Sequence, residues 1–427
     1  MKYFWFFIFA FLIISKSQSQ IKTPSNETSP KNDSIKKAEF LNHIGNGYFP
    51  TKYINIDLRY LIKYNQFEGF RTGLGGITNE TFLENFRLQG YTVYGFLDHR
   101  FKYSFGGGFR IAKKPNTWVN LTYTDDLQET GSSNFLTDKR FFQFFEPRLI
   151  NISLFHKLIS KTISIEHQFH PKIVTETEFG INHINPTYNY IFNLGGKGSF
   201  SSFNLTTTTV SLQWSPFSDF EFKSNSINET KTGYPKFTLQ YTKSFANVLN
   251  GAFNFSKLDF RTIHEFKYKN DISTQFVLTA GIANGDIPIT HMYHAYPNNV
   301  NKETILNRFS VAGTNSFETM YFNEFFSDKF ATLQIKHKLK PFNISPWFKP
   351  QLILISRFAF GNMSSIERHE NINFNTLKKG FSESGFEINK LFFGFGLSFA
   401  YRYGAYHLPS FEDNIAFKFT FNIDLNK

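Results

Sequence analysis

The sequence contains no cysteine among its 427 residues. Thiol catalysis, cysteine-ligated metals and a disulfide framework are therefore excluded, as is a lipid anchor on cysteine. The chain also lacks a run of about 18 uncharged apolar residues, which a membrane-spanning helix requires. Because the mean hydropathy is only −0.31, a helical membrane protein is excluded, and any membrane span must consist of strands.

Aromatic residues, by contrast, are abundant: phenylalanine occurs 57 times and tyrosine 20 times. Many aromatics with a polar average are typical of strands that turn one face to lipid and the other to water. The formal net charge is +12, and the basic residues are spread along the chain. This spread predicts no nucleic-acid partner, and it leaves open a lumen that favours anions or a surface that contacts anionic lipid headgroups.

The last stretch, 414–427, shows the clearest pattern. Strict alternation over about a dozen residues predicts a strand, and about 9–11 residues suffice for a tilted strand to cross a bilayer. We therefore expect a lipid-facing closing strand that pairs with the first strand; the alternative is an edge strand of a soluble sandwich. Its apolar positions are Ile415, Phe417, Phe419, Phe421, Ile423 and Leu425.

The N-terminus predicts export. Lys2 precedes an apolar run, Tyr3–Ile14, and a small-residue region follows, so residues 1–20 are expected to be a signal peptide for the Sec pathway. Residues 21–46 are predicted to be a polar periplasmic lead-in and residues 47–427 an outer-membrane barrel. The expected partners are outer-membrane lipid, the barrel-assembly machinery during biogenesis, and an unidentified surface or periplasmic protein.

Period-2 patterns from residue 48 onward predict an all-β fold, a transmembrane antiparallel β-barrel of about 16 strands, within a range of about 14 to 18. The patterns favour separate strands at 149–158 and 161–169, one strand at 385–403, and a strand at Phe317–Phe326. A lumen of this width must be filled or gated, or it forms a pore. The candidates for external loops or inward-folded plugs are 125–147, 185–202, 218–235, 285–311 and 361–380.

Several motifs together resemble a known family: Gly73–Asn79, Phe86–Tyr91, Tyr94–Tyr103, Gly285–Pro288 and Asn323–Lys329. They are similar to the barrel domain of an uncharacterised outer-membrane family common in Bacteroidota, whose longer members carry an N-terminal carboxypeptidase-regulatory-like domain. That barrel is distantly similar to outer-membrane assembly and two-partner-secretion barrels. This chain departs from the longer members in lacking their N-terminal β-sandwich, and the arginine-glycine loop motif of the assembly and secretion barrels is not found at its expected late position. The resemblance implies location and architecture, and no chemistry.

One polar set is a candidate lumenal cluster: Glu318, Glu324 and Asp328, with Arg261 and Lys267 as basic partners. Glu324 shares its predicted strand face with apolar residues, so it lies either at a membrane interface or in the lumen beside a cation.

Searches for chemistry identify no catalytic, cofactor or metal residues. His291 and His294 lie in a loop, but no carboxylate completes a ligand set, and no Gly-x-Ser-x-Gly motif occurs. We therefore expect a channel, a gated conduit or a structural envelope protein. The alternatives are a barrel-rim enzyme acting on lipid or envelope polymer, and a barrel that docks a surface partner.

Overall fold

The computed structural model describes residues 47–132, 134–140, 147–222, 227–300, 310–345, 348–392 and 394–421. The predicted signal peptide, the whole predicted lead-in, Ile423 and Leu425 lie outside these ranges. Strands dominate the described residues, and the helical elements there are short 3-10 turns. No helix in these ranges is both long and apolar enough to span a bilayer. The turns are Leu58–Tyr60, Leu136–Arg140, Pro147–Ile150, Gly195–Lys197, Ile289–His291, Ile366–Arg368, Gly404–Tyr406 and Phe411–Asn414.

One large sheet of eighteen strands contains nearly all the long strands. Tyr48–Pro50 is a short addition to this sheet. Ile54–Asp57 and Ile62–Asn65 are the two halves of one interrupted strand, β1, so the sheet consists of sixteen main strands. The others are β2 Gly69–Thr78, β3 Phe86–Gly95, β4 Arg100–Ala112, β5 Thr117–Glu129, β6 Phe155–His170, β7 Ile173–Pro186, β8 Phe203–Trp214, β9 Lys236–Ser244, β10 Phe255–Lys267, β11 Ser273–Gly285, β12 Lys329–Lys338, β13 Gln351–Asn362, β14 Phe381–Phe392, β15 Phe395–Tyr403 and β16 Ile415–Phe421.

The sixteen strands form a meander, because each pairs antiparallel with the next in the chain. The predicted count of about sixteen is therefore confirmed, although some boundaries were wrong. Residues 149–158 and 161–169 mostly belong to one strand, β6, whereas 385–403 divides into β14 and β15 at a turn with Gly394 at φ 85°. Phe317–Phe326 is not part of this sheet; Phe317–Tyr321 instead pairs parallel with Pro297–Asn299.

The two faces of the sheet have opposite chemistry. On β4, Phe101 and Phe105 are 67% and 61% exposed, whereas Lys102 between these phenylalanines is buried on the other face. On β16, Phe417 and Phe419 are exposed, whereas Lys418 is buried. Apolar side chains outside and polar side chains inside are the reverse of a soluble sandwich, and are the distribution of a barrel in lipid.

The edges of the sheet pair with short segments of the same chain. Tyr48–Pro50 pairs with the first half of β1. At the other edge, the amide of Phe419 donates to the carbonyl of Ser310 (3.0 Å), and the amide of Ala312 donates to the carbonyl of Phe419 (2.7 Å). The expected pairing of β16 with β1 is not among the pairings of the described residues. Both edges nevertheless have backbone partners in the described chain, which limits unsatisfied polar groups.

The connections alternate between the two ends of the meander, and the long ones gather at one end, here called the loop end. The predicted irregular stretches near 125–147, 185–202, 285–311 and 361–380 lie there, whereas 218–235 lies at the opposite end, where it contains a hairpin of Asp219–Phe222 with Ile227–Lys231. The loop end also has two short strands, Ile191–Asn193 and Ser199–Phe200, with His369–Glu370 beside the first. Their apolar side chains form a buried cluster with the adjoining strand ends.

Replacing Phe105 by Arg tests the outward face, because a cation near the bilayer midplane costs about 2–4 kcal/mol. We expect Phe105→Arg to lower the free energy of unfolding in phospholipid vesicles by about that amount, measured by chemical denaturation. The matched control is Gln89→Arg, which places the same side chain on the cavity-facing side of β3 and should cost much less. Equal losses would contradict the outward assignment.

Candidate functional site

The connection between β11 and β12 folds inward rather than away from the barrel. We call residues 286–300 and 310–328 the inner segment. Most of its side chains are buried, and its polar groups contact inward-facing residues of strands on opposite sides of the sheet. It therefore occupies part of the lumen, which is wide in a barrel of sixteen strands.

The first anchor of the inner segment is Tyr293, whose ring lies against the wall at Gly281 of β11. A Cβ atom at Gly281 would lie 2.5 Å from the ring, so glycine is needed for this approach. The ring stacks on Phe330 at 4.3 Å, and the hydroxyl donates to Asp259 at 2.6 Å. The ammonium of Lys257 lies 4.4 Å from the ring centre.

The second anchor is a buried ion pair between Glu318 of the inner segment and Lys418 of β16. Their charged atoms are 2.9 Å apart, and the two side chains are only 1% and 2% exposed. Asn298 and Ser316 each donate to the carboxylate of Glu318 at 2.8 Å. The Lys418 ammonium also donates to the carbonyl of Asn298. Satisfying the remaining lone pairs in this way is what makes a buried pair tolerable.

A second carboxylate on the wall binds the backbone of the same residues. Glu383 of β14 accepts the amides of Glu318 and Thr319, both at 2.9 Å, and the hydroxyl of Thr319 at 2.6 Å. Arg357 of β13 pairs with Glu383 at 2.7 Å. The network therefore joins the inner segment to three wall strands.

The protonation of Glu318 depends on these cations. Burial works to raise the pKa of Glu318, but Lys418 and Arg357 outweigh it, and the pKa falls below its ordinary value. A carboxylate with a depressed pKa contributes stability above its unfolded pKa, about 4.3, and loses that contribution in stronger acid. The contribution of the Glu318 carboxylate to this anchor should therefore be lost only in acid, below about pH 4.3.

Further along the segment, Glu324 forms a two-pronged ion pair with Arg402 of β15, at 2.6 and 3.0 Å. At the other side of the barrel, Glu129 accepts Nε2 of His294 at 2.8 Å and the guanidinium of Arg148 at 2.6 Å. Burial lowers the pKa of His294 despite Glu129, so this histidine is neutral at physiological pH.

Beside the inner segment lies a cavity of about 1140 Å³. Among the described residues that line it, seven are Asp or Glu and five are Lys or Arg. Some of these charged residues have partners on other strands. Asp126 pairs with Arg71 at 2.6 Å, and Arg87 donates to the side-chain oxygen of Asn120 at 2.7 Å. The described lining thus has mixed charge with an acidic excess, and it does not support the expectation of an anion-favouring lumen.

The predicted polar set is divided between separate contacts. Glu318 and Glu324 lie inside, but their partners are Lys418 and Arg402. Arg261 pairs with Asp138 at 2.6 Å, whereas Lys267 is exposed at the end of β10. Asp328 accepts the amide of Ser364 at 2.7 Å.

Sequence reasoning missed the wall residues Arg357, Glu383, Arg402 and Lys418. Each occupies an inward position in an alternating strand, where its neighbours on either side point outward. A charged residue at such a position is the signal that would have identified it, because a charge facing the lumen needs a partner there. The partners themselves are distant in sequence.

The buried apolar cluster at the loop end, here called the loop-end cluster, holds the part of the inner segment around Ile289. The amide of Ile289 donates to the hydroxyl of Tyr190 at 3.0 Å, and that hydroxyl lies 2.9 Å from Nδ1 of His369. The His369 ring stacks on Phe192 at 5.3 Å. Burial, with a smaller effect of Arg368, lowers the pKa of His369 to about 4.

Acidification should therefore weaken this cluster. His369 is neutral when folded, so its contribution is complete above the unfolded pKa of about 6.5 and is lost as the pH falls toward the folded value. We expect the protection factors of the loops around 190 and 369, in which the intrinsic pH dependence of hydrogen exchange is divided out, to fall between pH 7 and 4.5. In His369→Gln, the slope of stability with pH should fall by about one proton; an unchanged slope would contradict this role.

Removing the cation from the second anchor gives a further test. Lys418→Met leaves Glu318 without its nearest cation, and breaking a buried pair in this way typically costs about 3–5 kcal/mol. The double variant Glu318→Gln with Lys418→Met should recover part of that loss, measured by denaturant unfolding in vesicles. Additive losses would show that the two residues do not interact energetically.

With this geometry established, known proteins can be compared. The solved structure of BamA from Haemophilus ducreyi lacking POTRA domains 1–3 aligns with a TM-score of 0.52 at 8% identity, over 93% of this chain and 79% of that one. CdiB from Acinetobacter baumannii aligns with a TM-score of 0.41 at 11% identity, over 86% of this chain and 59% of that one. A search of curated proteins finds no match.

The likeness to BamA concerns the fold alone, and it confirms the predicted class, a transmembrane antiparallel β-barrel. Residues 46–343 match a family described as the C-terminal domain of a family of unknown function, DUF5686. The match spans well over half of the chain and agrees with the family that the sequence motifs resemble. This chain therefore belongs to the DUF5686 C-terminal domain family.

Proposed function

We propose that this protein is an integral outer-membrane barrel that acts as a gated conduit, with residues 310–328 of the inner segment as the gate. The supporting observation is the way these residues are held. Inside the lumen Glu318 and Glu324 hold them to the wall through buried ion pairs, beside apolar contacts such as that of Phe317 with Phe381 at 5.6 Å, and a cavity of about 1140 Å³ lies beside the inner segment.

Polar anchors suit a gate better than an apolar plug does. A buried ion pair adds little net stability compared with an apolar replacement, yet breaking one side is costly. It therefore favours one docked arrangement strongly over partly docked ones. When both partners can be hydrated by lumenal water, the released state is also accessible, and two discrete states are what gating requires.

The proposal includes the location. Residues 1–20 would direct export through the Sec pathway, residues 21–46 would form a periplasmic lead-in, and the Phe-rich faces would contact outer-membrane lipid. The barrel-assembly machinery would insert the chain.

Cross-linking the gate to the wall tests the proposal. Val311 and Phe419 are bridge partners in parallel orientation, a separation within the range that disulfides tolerate. Since the chain has no natural cysteine, Val311→Cys with Phe419→Cys introduces a single disulfide. We expect the oxidised variant to show lower conductance in planar bilayers than its reduced form, and Glu318→Gln with Lys418→Met to show higher conductance than wild type.

The reduced form of the same double-cysteine variant is the control for the substitutions themselves, and each single-cysteine variant controls for the oxidant. If wild type, the reduced variant and the anchor variant all lack conductance for small ions, the conduit proposal is wrong. If all conduct equally, the barrel is an open pore and residues 310–328 do not gate it.

A further inference from the structure

On the outward face of four neighbouring strands, β6 to β9, the first polar side chain beyond the apolar positions lies at nearly the same register; on β6, Ile159 lies between the two outward lysines. The ladder places Lys161 opposite Ile181 and Thr208 opposite Lys243, so the changes lie within about two residues of one line across the sheet. Toward the loop end, the side chains change from Ile163 to Lys161, from Ile181 to His183, from Val210 to Thr208 and from Tyr241 to Lys243.

The polar side of this line is basic. Lys157 and Lys161 share the outward face of β6, His183 follows on β7, and Lys243 lies on β9; Lys161 and His183 are exposed, and the other two are half-buried. We call these four residues the basic patch.

The patch has polar neighbours but little negative charge. Lys243 donates to the side chain of Asn254 at 2.6 Å, and a ring nitrogen of His183 lies 2.7 Å from Asn204. Among the described residues, none of the three lysines forms an ion pair. Asp125 is a carboxylate on the same outer face, opposite Ile159.

The position of the patch is informative because a lysine facing lipid is strongly destabilising at the bilayer midplane but is tolerated near the interface. Lys161 and Lys243, directly beside apolar positions, therefore mark the level at which lipid headgroups begin. At that level each cation is attracted by the negative charge of anionic lipid headgroups. Lys157 and Lys161 are about 13 Å apart, at about 3.3 Å per residue, a span that allows them to contact separate phosphates.

We propose that the basic patch binds the phosphates of a phosphorylated lipid headgroup in the leaflet at the loop end. The site lies on the outer wall, away from the lumen and the inner segment. It rests on the membrane location included in the proposed function, but it does not depend on gating.

The test uses the full-length barrel in phosphatidylcholine nanodiscs with added lipid A, a glycolipid with two phosphates, and measures by native mass spectrometry how much lipid A each barrel retains. We expect wild type to retain it and the triple variant Lys157→Gln, Lys161→Gln and Lys243→Gln to retain at least about tenfold less. The matched control is Lys349→Gln, Lys378→Gln and Lys379→Gln, which removes three exposed lysines elsewhere and should retain lipid A like wild type.

Equal retention of lipid A by both triple variants would overturn the proposal. A patch variant that is more stable than wild type in pure phosphatidylcholine but still retains lipid A would also overturn it, because the lysines would then only thin the bilayer around the barrel. Dephosphorylated lipid A should not be retained by wild type; if it is, the acyl chains rather than the phosphates are recognised. Since conductance is not measured, a failed gate and a failed lipid site give different results.

Discussion

The structure depends on one constraint: at the depth of the hydrocarbon, every backbone group must be paired within a single curved sheet and every charge must lie on its inner side. The hydrogen bonds between neighbouring strands of the meander, from β1 to β16, satisfy the backbone groups. The requirement on charged side chains explains why Lys102, Glu383 and Lys418 point inward, whereas the nearby Phe101, Phe386 and Phe417 are exposed.

A polar interior also decides what can fill the lumen. An inner segment that is apolar throughout would bury the wall charges without partners, at a cost of several kcal/mol for each. Glu318 and Glu324 instead bring carboxylates to Lys418 and Arg402, and the Glu383 carboxylate receives backbone amides. Apolar packing of the segment is concentrated near the loop end, where Ile289, Met292 and Phe326 belong to the buried cluster.

The alternation of single residues was enough to predict the fold class and the strand number, since lipid on one side and water on the other impose it directly on β4 and β16. Strand boundaries were less predictable. Residues 385–403 keep their alternation through the turn at Gly394. Phe317–Phe326 has the alternating pattern of a wall strand, although Phe317–Tyr321 pairs with Pro297–Asn299 inside the barrel. The wall partners of Glu318 and Glu324 lie up to about a hundred positions away, and only three-dimensional proximity identifies them.

The division between polar anchors and apolar cluster limits how the inner segment can move. Separating Glu318 from Lys418 beside a polar cavity lets both groups be hydrated, so the cost is reduced by water that enters. Separating Met292 or Phe326 from the cluster exposes apolar surface and gains nothing comparable. Tyr293, which is fitted to Gly281 and stacked on Phe330, lies between the two regions. Because Phe317 and Met320 flank Glu318 and belong to the same cluster, motion of residues 310–324 must also expose some apolar surface, while the contacts of residues 287–293 hold the rest in place.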